Sequence, residues 1–331
     1  MKITVIGDGA WGTALALNLL HNRHQVTLWG AFPDYLDAIR KRGENFKFLP
    51  GVMLPEALRL CPDMGEAVAG GDFLLLATPT QYLRGTLKQL APVFRRDTPI
   101  INVAKGIEVE SWKRISGIIA DELGEVNFID LSGPSHAEEV SRKVPTAVVA
   151  ASTDPALAEA VQKLMMNEFF RVYTSADVVG VELGGALKNV MAIAAGIIDG
   201  MRLGDNPKAA MMTRGISEMS KLGEALGGQR STFAGLSGIG DLIVTCTSGH
   251  SRNRHVGEEL GRGKSMEQIQ QEMGMVVAEG VPTARGAFTL AAQHGVSTPI
   301  TDEIYHILYQ QRDVRDAIRS LMMRKAKPEE D

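Results

Sequence analysis

Residues 2–22, KITVIGDGAWGTALALNLLHN, determine the expected fold of the N-terminal half. A short apolar run at 2–6 predicts a strand, the apolar residues after Gly12 have helical spacing, and Gly7, Gly9 and Gly12 form G-x-G-x-x-G between them. The first glycine permits a tight turn, the second lets a pyrophosphate approach the backbone, and the third lets helix and strand pack closely. The phosphates would lie at the helix N-terminus, where free N–H groups and the dipole favour anions. The stretch predicts a dinucleotide-binding unit. The alternative is a glycine-rich turn without a ligand.

Strand and helix patterns continue to alternate beyond this unit. Apolar runs that predict strands lie at 25–29, 72–77, 99–103, 127–132, 146–150 and 170–174. Such alternation is typical of a doubly wound, mostly parallel sheet covered by helices. We therefore predict an α/β Rossmann domain over residues 1–175.

The segment after the second predicted strand bears on the choice of cofactor. An acid that binds the ribose is expected about 20 residues beyond the glycines. Gly30-Ala31-Phe32-Pro33 stands there instead, and Asp34 is the first acid. The basic run 40–42 (Arg40, Lys41, Arg42) either meets a 2′-phosphate or forms a solvated helix face. The sequence predicts NAD or NADP as cofactor without deciding between them.

Two segments follow predicted strands at the edge where an open parallel sheet binds its ligands. Lys105 comes just after the strand 99–103, and the loop 133–137, GPSHA, follows the strand 127–132. Lys105 is a candidate contact to substrate or cofactor, or else a surface lysine. The loop is a candidate wall of the nicotinamide pocket, or else only a turn.

Residues 178–200, VVGVELGGALKNVMAIAAGIIDG, predict a long helix that begins an all-helical second domain over residues 176–331. Its glycines and alanines would let other backbone approach closely. Lys188 lies in the middle among uncharged neighbours, where burial would disfavour the ammonium form. Either its stem carries the amine to solvent, or the amine is buried with a lowered pKa and acts as a general base.

Two further groups in the helical half carry possible chemistry. Asp241 begins an apolar run, where it would cap a helix or orient Lys188 through charge-assisted hydrogen bonds. Ser251-Arg252-Asn253-Arg254 precedes another helix, and Ser251 fits the N-cap. This group is either a phosphate cradle or a cap beside a solvated basic face. The remaining predicted helices lie at 265–273, 282–294, 299–310 and 313–324, with Glu279 near the start of the second.

Composition narrows the functional classes. The 331 residues are 44% hydrophobic and 22% charged with a net charge of −4, which predicts about two folded domains and offers no overall basic excess for nucleic acid. The two cysteines form no disulfide framework and the histidines lack metal-ligand spacing, so we expect a reducing cytoplasm and no metal. No signal peptide is evident. The candidate uncharged run, 189–198, is too short to span a membrane.

Taken together, the residues predict hydride transfer from a phosphorylated alcohol to a nicotinamide dinucleotide.

Seven stretches, in order, resemble the bacterial NAD(P)-dependent glycerol-3-phosphate dehydrogenase family over essentially the full chain. They are GDGAWGTALA at 7–16, AKG at 104–106, SGPS at 132–135, VELGGALKNVMAIAAGIIDG at 181–200, TRGISEM at 213–219, GLSGIGDLIVTCTS at 235–248 and SRNR at 251–254. The resemblance implies reversible conversion of sn-glycerol 3-phosphate and dihydroxyacetone phosphate, which supplies phospholipid synthesis. It also implies a cytoplasmic homodimer and an all-α C-terminal domain of the 6-phosphogluconate dehydrogenase-like type.

The resemblance also implies roles for individual residues. Lys188 would be the proton acceptor, with Lys105 and Asp241 beside the substrate and Arg252 reaching its phosphate. The rest of the substrate site would comprise Gly133, Ser135, Ser251 and Asn253, while Asn189 and Thr245 match active-site positions of the wider family. The dinucleotide would contact Gly7, Gly9, Ala10, Trp11, Gly12, Lys105, Ala137, Arg252, Val277 and Glu279.

The chain departs from the family pattern in three places. Asp8 stands where a small residue is usual and adds a negative charge beside the pyrophosphate. Ala31 replaces a residue that is often polar or basic, which weakens any inference of NADP, and the stretch 280–286, GVPTARG, differs from the usual wording. Two other functions stay open: a related β-hydroxyacid or ketopantoate-type dehydrogenase, and a non-enzymatic dinucleotide-binding regulator.

Overall fold

A computed structural model describes residues 1–274, 277–326 and 328–329. Its sheet has eight strands: β1 (Lys2–Ile6), β2 (Gln25–Trp29), β3 (Arg59–Cys61), β4 (Phe73–Leu76), β5 (Ile100–Asn102), β6 (Phe128–Ser132), β7 (Thr146–Ala151) and β8 (Phe170–Ser175). Their order across the sheet is β3-β2-β1-β4-β5-β6-β7-β8. β7 pairs antiparallel with β6, and every other neighbouring pair is parallel. The predicted doubly wound, mostly parallel sheet is confirmed.

Helices cover both faces of the sheet because both faces are apolar. Val5 and Leu75 belong to one buried cluster, whereas Ile6 and Leu76, the next residues along the same strands, belong to the other. This alternation follows from the two-residue period of a strand. The helices of this half are α1 (Ala10–His21), α2 (Pro33–Arg42), α3 (Met64–Val68), α4 (Thr80–Leu90), α5 (Ile115–Leu123), α6 (Ala137–Val140) and α7 (Pro155–Met165), with a 3₁₀ turn at Ala91–Val93.

The chain continues as helices: α8 (Val178–Gly200), α9 (Asp205–Ala225), α10 (Arg230–Phe233), α11 (Asp241–Thr247), α12 (Arg252–Gly261), α13 (Met266–Met273), α14 (Gly280–Gln293), α15 (Pro299–Gln310) and α16 (Val314–Met322). A π-helical turn, Leu236–Gly240, precedes α11. The described residues after β8 contain no strand, which agrees with the predicted helical second half. The predicted boundary between residues 175 and 176 falls between β8 and α8 and stays a prediction.

Sequence patterns missed the shortest elements and shifted some helix ends. β3 has three residues and α3 has five, which is too few for a period to show. α14 begins at Gly280 rather than at 282. Pro282 can lie in the first turn of a helix, because the backbone N–H groups of that turn have no partner within the helix. α13 begins one residue late because Ser265 is its N-cap, in a capping box with Gln268.

α8 is the core of the helical half. Every residue from Gly180 to Ile198 is buried. A Cβ on Gly196 would collide with the Arg254 carbonyl, and one on Gly257 would collide with the Ile193 carbonyl. Glycine at these positions lets α8 and α12 pack backbone against backbone. The predicted close approach of other backbone to this helix is therefore found.

The prediction that no segment is long enough to span a membrane is wrong for α8. The uncharged run 189–198 on which it was based is only part of this helix. The helix itself has 23 residues and an 18-residue window of mean hydropathy 1.5, so its length and composition do suffice for a span. That window is 100% buried inside the protein, since the neighbouring helices cover it. Apolar composition here reflects burial in a protein core.

Candidate active site

The glycine loop has the geometry that the motif predicts. Gly7 has φ +120°, and a Cβ there would lie 2.8 Å from the Ala77 carbonyl carbon. A Cβ on Gly12 would collide with the Gly7 carbonyl oxygen. Gly9 is the N-cap residue of α1, and a Cβ there would meet no atom within 4 Å. The loop is therefore closed on its protein side and open at the helix N-terminus, where Ala10 begins α1.

Buried polar atoms without a partner surround this loop. Within the described residues, Asp8 Oδ2, Trp11 Nε1, Thr80 Oγ1 and Glu279 Oε2 have no hydrogen-bond partner. Buried polar groups in folded proteins are nearly always satisfied, so each of these atoms needs an explanation. A ligand that carries phosphate oxygens and hydroxyls offers both donors and acceptors. The residues present fit a bound dinucleotide.

Glu279 joins the helical half to the sheet. It is the N-cap residue of α14, and its Oε1 accepts a hydrogen bond of 2.8 Å from the Thr80 amide after β4. Its Oε2 lies 3.0 Å from where a Cβ on Gly106 would be. Burial raises the pKa of Glu279 to about 7. This predicted cofactor residue thus lies beside the strand-end segment that carries Lys105.

Two amines share one buried carboxylate at the junction of the two halves. Lys188 Nζ donates to Asp241 Oδ1 at 2.8 Å, and Lys105 Nζ donates to Asp241 Oδ2 at 2.6 Å. Lys188 also donates to Thr245 Oγ1 at 2.8 Å, and that hydroxyl donates to the Asp241 carbonyl at 2.6 Å. The side chain of Lys188 is 9% exposed and that of Asp241 is 1% exposed. Lys188 therefore does not reach out to solvent, and Asp241 does orient it.

The electrostatics of this group follow from burial and mutual pairing. Burial lowers the pKa of Lys188 to about 8, although Asp241 opposes the shift, and the charge of Lys105 adds to it. Burial alone would raise the pKa of Asp241, but Lys105 and Lys188 hold it below its usual value. Asp241 is the first residue of α11, and its side chain goes to the amines rather than capping the helix.

The loop after β6 contributes a backbone carbonyl. Gly133 has φ +138°, and a Cβ there would lie 3.0 Å from Val148 Cα. Its carbonyl oxygen accepts from Lys105 Nζ at 2.9 Å and from Ser135 Oγ at 2.9 Å. The loop thus helps to position Lys105. Ala137, the first residue of α6, is buried and packs in the core on the α1 side of the sheet.

The predicted phosphate cradle divides into a supporting part and an exposed part. Ser251 caps α12 by accepting from the Arg254 amide at 3.2 Å. Asn253 is buried and joins three helices: its Nδ2 donates to Asn189 Oδ1 at 2.9 Å and its Oδ1 accepts from the Gly280 amide at 2.8 Å. Asn189 in turn donates to the Lys105 carbonyl at 3.2 Å.

The two arginines of the cradle differ in their surroundings. Arg254 Nη1 lies 2.5 Å from Asp199 Oδ2, so its charge is already paired. Arg252 is exposed, and its Nη1 donates to the Val277 carbonyl at 3.1 Å. Of the predicted residues, Arg252 and Val277 are thus in contact with each other. Arg252 is the cation that is available to a ligand.

His136 was not assigned a role from the sequence, although it lies in the predicted loop. Burial lowers the pKa of His136, and nearby Lys188 lowers it further. Its Nε2 is buried with no partner in the part of the chain that the structure describes, and its ring lies 5.8 Å from that of His250. In the sequence, the signal that could have indicated His136 as a site residue is the position of its loop at the carboxyl end of β6.

Comparison with known proteins agrees with this geometry. A family model described as NAD-dependent glycerol-3-phosphate dehydrogenase N-terminus matches residues 2–158, and the corresponding C-terminus model matches residues 177–319. Glycerol-3-phosphate dehydrogenase (NAD(P)+) of Moorella thermoacetica is 50% identical over 98% of this chain and 96% of its own length. The Bacillus pumilus protein of the same name is 48% identical over 98% of this chain and 94% of its own.

A solved structure extends the likeness to three dimensions. Glycerol-3-phosphate dehydrogenase from Coxiella burnetii superimposes with a TM-score of 0.94 at 36% identity, over 98% of this chain and 99% of that one. Both halves of the chain, the sheet with its glycine loop and the helices around Lys188, are thus shared with the same relatives. The chain belongs to the NAD-dependent glycerol-3-phosphate dehydrogenase family.

Proposed function

We propose that the chain catalyses reversible NAD(P)-dependent hydride transfer between sn-glycerol 3-phosphate and dihydroxyacetone phosphate. The observation that carries the proposal is the Lys188–Asp241–Lys105 group, which lies at the same carboxyl edge of the sheet as the glycine loop. The relatives bear the name of this activity. A protein that only bound a dinucleotide would have no need to bury two amines on one carboxylate.

Lys188 is the proposed general base and acid. With a pKa of about 8, roughly a tenth of the amine is neutral at pH 7, whereas an ordinary lysine is almost wholly protonated. The neutral amine takes the proton of the substrate hydroxyl during oxidation, and the ammonium returns a proton to the carbonyl oxygen during reduction. The dinucleotide, when bound, accepts or supplies the hydride.

Asp241 and Lys105 position this proton transfer. Asp241 fixes the Lys188 amine by a charge-assisted hydrogen bond of 2.8 Å. Lys105, held by Asp241 and the Gly133 carbonyl, is a second cation beside the Lys188 amine. A cation beside the reacting oxygen stabilises the negative charge that develops there. We assign Lys105 to substrate and cofactor contact on this basis.

The phosphate of the substrate is proposed to bind Arg252 at the N-terminus of α12. Arg252 is exposed, and a guanidinium forms paired hydrogen bonds with phosphate oxygens. Ser251 and Asn253 hold the start of this helix in place. Gly133 and Ser135 complete the proposed substrate site.

The dinucleotide is proposed to bind along the glycine loop. Gly7, Gly9 and Gly12 shape the loop, and Ala10 and Trp11 begin the helix whose N-terminus faces the pyrophosphate. The other proposed contacts are Lys105, Ala137, Arg252, Val277 and Glu279. The unpartnered Trp11 Nε1 and Glu279 Oε2 support this assignment.

The direct test is the absorbance decay of NADH and of NADPH, measured separately, when purified protein meets dihydroxyacetone phosphate. Rapid decay with either cofactor is the expected result. Ketopantoate and β-hydroxyacids, assayed in parallel, should give no comparable turnover. A folded protein that binds the dinucleotide but turns over none of the phosphorylated substrate would overturn the proposal.

We also propose a homodimer in the cytoplasm that supplies glycerol 3-phosphate for phospholipid synthesis. Membership of the family supports this physiological role, and the two buried free cysteines, Cys61 and Cys246, suit a reducing compartment. Light scattering after size-exclusion chromatography measures the oligomeric state directly. A monomer at assay concentration would contradict the dimer and leave the reaction assignment intact.

A further inference from the structure

Asp8, the unusual residue of the glycine loop, lies against the end of β2. A Cβ on Gly30, the residue that follows β2, would lie 2.5 Å from Asp8 Oδ2 and 2.8 Å from Asp8 Cγ. The end of the second strand is where Rossmann domains usually carry the acid that binds the adenosine ribose. The chain lacks an acid there, and the carboxylate of Asp8 reaches this place from the glycine loop instead.

The main chain of Asp8 is held in position, and its carboxylate has one oxygen without a partner among the described residues. Asn45, which is fully buried, donates to the Asp8 carbonyl and to Thr13 Oγ1, both at 2.7 Å. Tyr35 in turn donates to Asn45 Oδ1 at 2.6 Å. Asp8 Oδ2 is buried with no donor among the described residues, and burial raises the pKa of this carboxyl. A backbone hydrogen bond to the carboxylate partly opposes this rise, but a buried carboxylate oxygen that lacks a donor is costly unless a ligand provides one.

We propose that Asp8 accepts hydrogen bonds from the ribose hydroxyls of the adenosine half and thereby selects NAD(H) over NADP(H). This inference rests on the proposed function, since it concerns the same dinucleotide site. The ribose 2′-hydroxyl of NAD(H) is a donor that suits the free oxygen. The 2′-phosphate of NADP(H) has no proton to offer and places like charges side by side, which disfavours binding.

Two of the three cations in the basic run 40–42 already have other contacts. Of the basic residues predicted as possible 2′-phosphate ligands, Arg40 pairs with Asp37 and donates to the Leu60 carbonyl at 3.2 Å. The guanidinium of Arg42 lies 3.8 Å from the ring centroid of Phe46. Ala31 offers no charge. Lys41, the third residue of the basic run, is exposed and has no ion pair or aromatic contact of this kind among the described residues.

The test measures equilibrium binding without substrate. Dissociation constants for NADH and for NADPH are obtained separately, by calorimetry or nicotinamide fluorescence, for the unaltered protein and for Asp8→Ala, Asp8→Asn and Asp34→Asn. Asp8→Asn keeps the shape and removes the charge. Asp34→Asn is the matched control, because Asp34 is the first acid after β2 in sequence and is exposed.

We expect the unaltered protein to bind NADH at least roughly tenfold more tightly than NADPH, as one lost charge-assisted contact would give. Both Asp8 variants should reduce that ratio by roughly tenfold or more, and Asp34→Asn should not change it. Equal affinities in the unaltered protein, or an unchanged ratio in Asp8→Asn, would overturn the role of Asp8. A preference that moves only in Asp34→Asn would do the same. If the unaltered protein binds neither cofactor, the proposed function itself fails.

Discussion

Lys188 and Lys105 bind opposite oxygens of the same carboxylate, although they come from different halves of the chain. Lys188 lies on α8, Lys105 follows β5, and Asp241 accepts from them at 2.8 and 2.6 Å. Asp241 and Lys105 therefore both act on the pKa of Lys188, Asp241 raising it and Lys105 lowering it. This coupling makes the pH dependence of the reaction a sensitive test of the assignment.

Lys188→Ala should lower kcat by roughly 10²–10⁴-fold, because general acid–base catalysis contributes about that much. The Kd for NADH should change little, since no contact places Lys188 in the glycine loop. Steady-state kinetics and cofactor titration measure the two quantities. Lys163→Ala, on an exposed lysine of α7, is the control. Near-normal turnover in Lys188→Ala would exclude Lys188 as the base.

Two further variants should move the pH profile of glycerol 3-phosphate oxidation in opposite directions. Oxidation needs neutral Lys188, so kcat should rise with pH through a midpoint near the pKa of about 8. Asp241 raises the pKa of Lys188 and Lys105 lowers it. Asp241→Asn should therefore move the midpoint down, and Lys105→Met should move it up, each with lower kcat. Shifts in the same direction, or none, would show that another group titrates.

Arg252→Ala should raise KM for dihydroxyacetone phosphate by roughly tenfold to hundredfold, the usual cost of one charge-assisted contact. KM for unphosphorylated dihydroxyacetone should be nearly unaffected. Arg254→Ala provides the contrast, because Arg254 is paired with Asp199 and should lower Tm rather than act through the phosphate. Equal losses for both substrates in Arg252→Ala would contradict the phosphate contact.

Glu279→Gln should stabilise the free protein at alkaline pH. Burial raises the pKa of Glu279 to about 7 in the folded protein. The unfolded chain releases this proton at lower pH, so the free energy of unfolding falls as the pH rises from the pKa of the unfolded chain to about 7. Glutamine can still accept from the Thr80 amide and carries no charge. Denaturant unfolding should show a gain in free energy of unfolding that is larger at pH 8 than at pH 5, by roughly 2–3 kcal/mol. Glu218, whose pKa is also about 7, titrates in both proteins and cancels in the comparison. A pH-independent difference would count against the assigned pKa.

Alanine at the second and at the third glycine of the loop should impair the protein in different ways. A Cβ on Gly9 meets no atom, so Gly9→Ala should keep the Tm of the free protein and weaken NADH binding. A Cβ on Gly12 collides with the Gly7 carbonyl, so Gly12→Ala should lower Tm itself. Thermal unfolding with and without NADH separates the two effects. Unimpaired NADH binding by Gly9→Ala would mean that the pyrophosphate does not approach that residue.

Local pattern was enough to predict the glycine loop, most strands and the Ser251 cap, because each depends on neighbours in sequence. The Lys188–Asp241 contact spans 53 residues, and sequence could only offer it as an alternative to a helix cap. The contact depends on the π-helical turn before α11, which packs closely against α8. A Cβ on Gly184 of α8 would lie 2.5 Å from the carbonyl oxygen of Ser237 in that turn. No sequence period signals such a turn.

Other residues were ambiguous because their partners are distant. Arg254 and Arg252 are alike in sequence, but Arg254 pairs with Asp199, 55 residues away, and with Glu258. Asp8 was noted only as an extra charge beside the pyrophosphate. Its position against Gly30 depends on how the glycine loop turns over the sheet, which the letters alone do not specify.

The burial of α8 has a consequence for how the enzyme loses activity. Because every residue from Gly180 to Ile198 is buried, we expect the amides around Lys188 to exchange with deuterium only when the helical half opens as a whole. Lys188 would then have no partially unfolded state of its own. Under denaturant, catalysis and the compact helical core should disappear in a single transition.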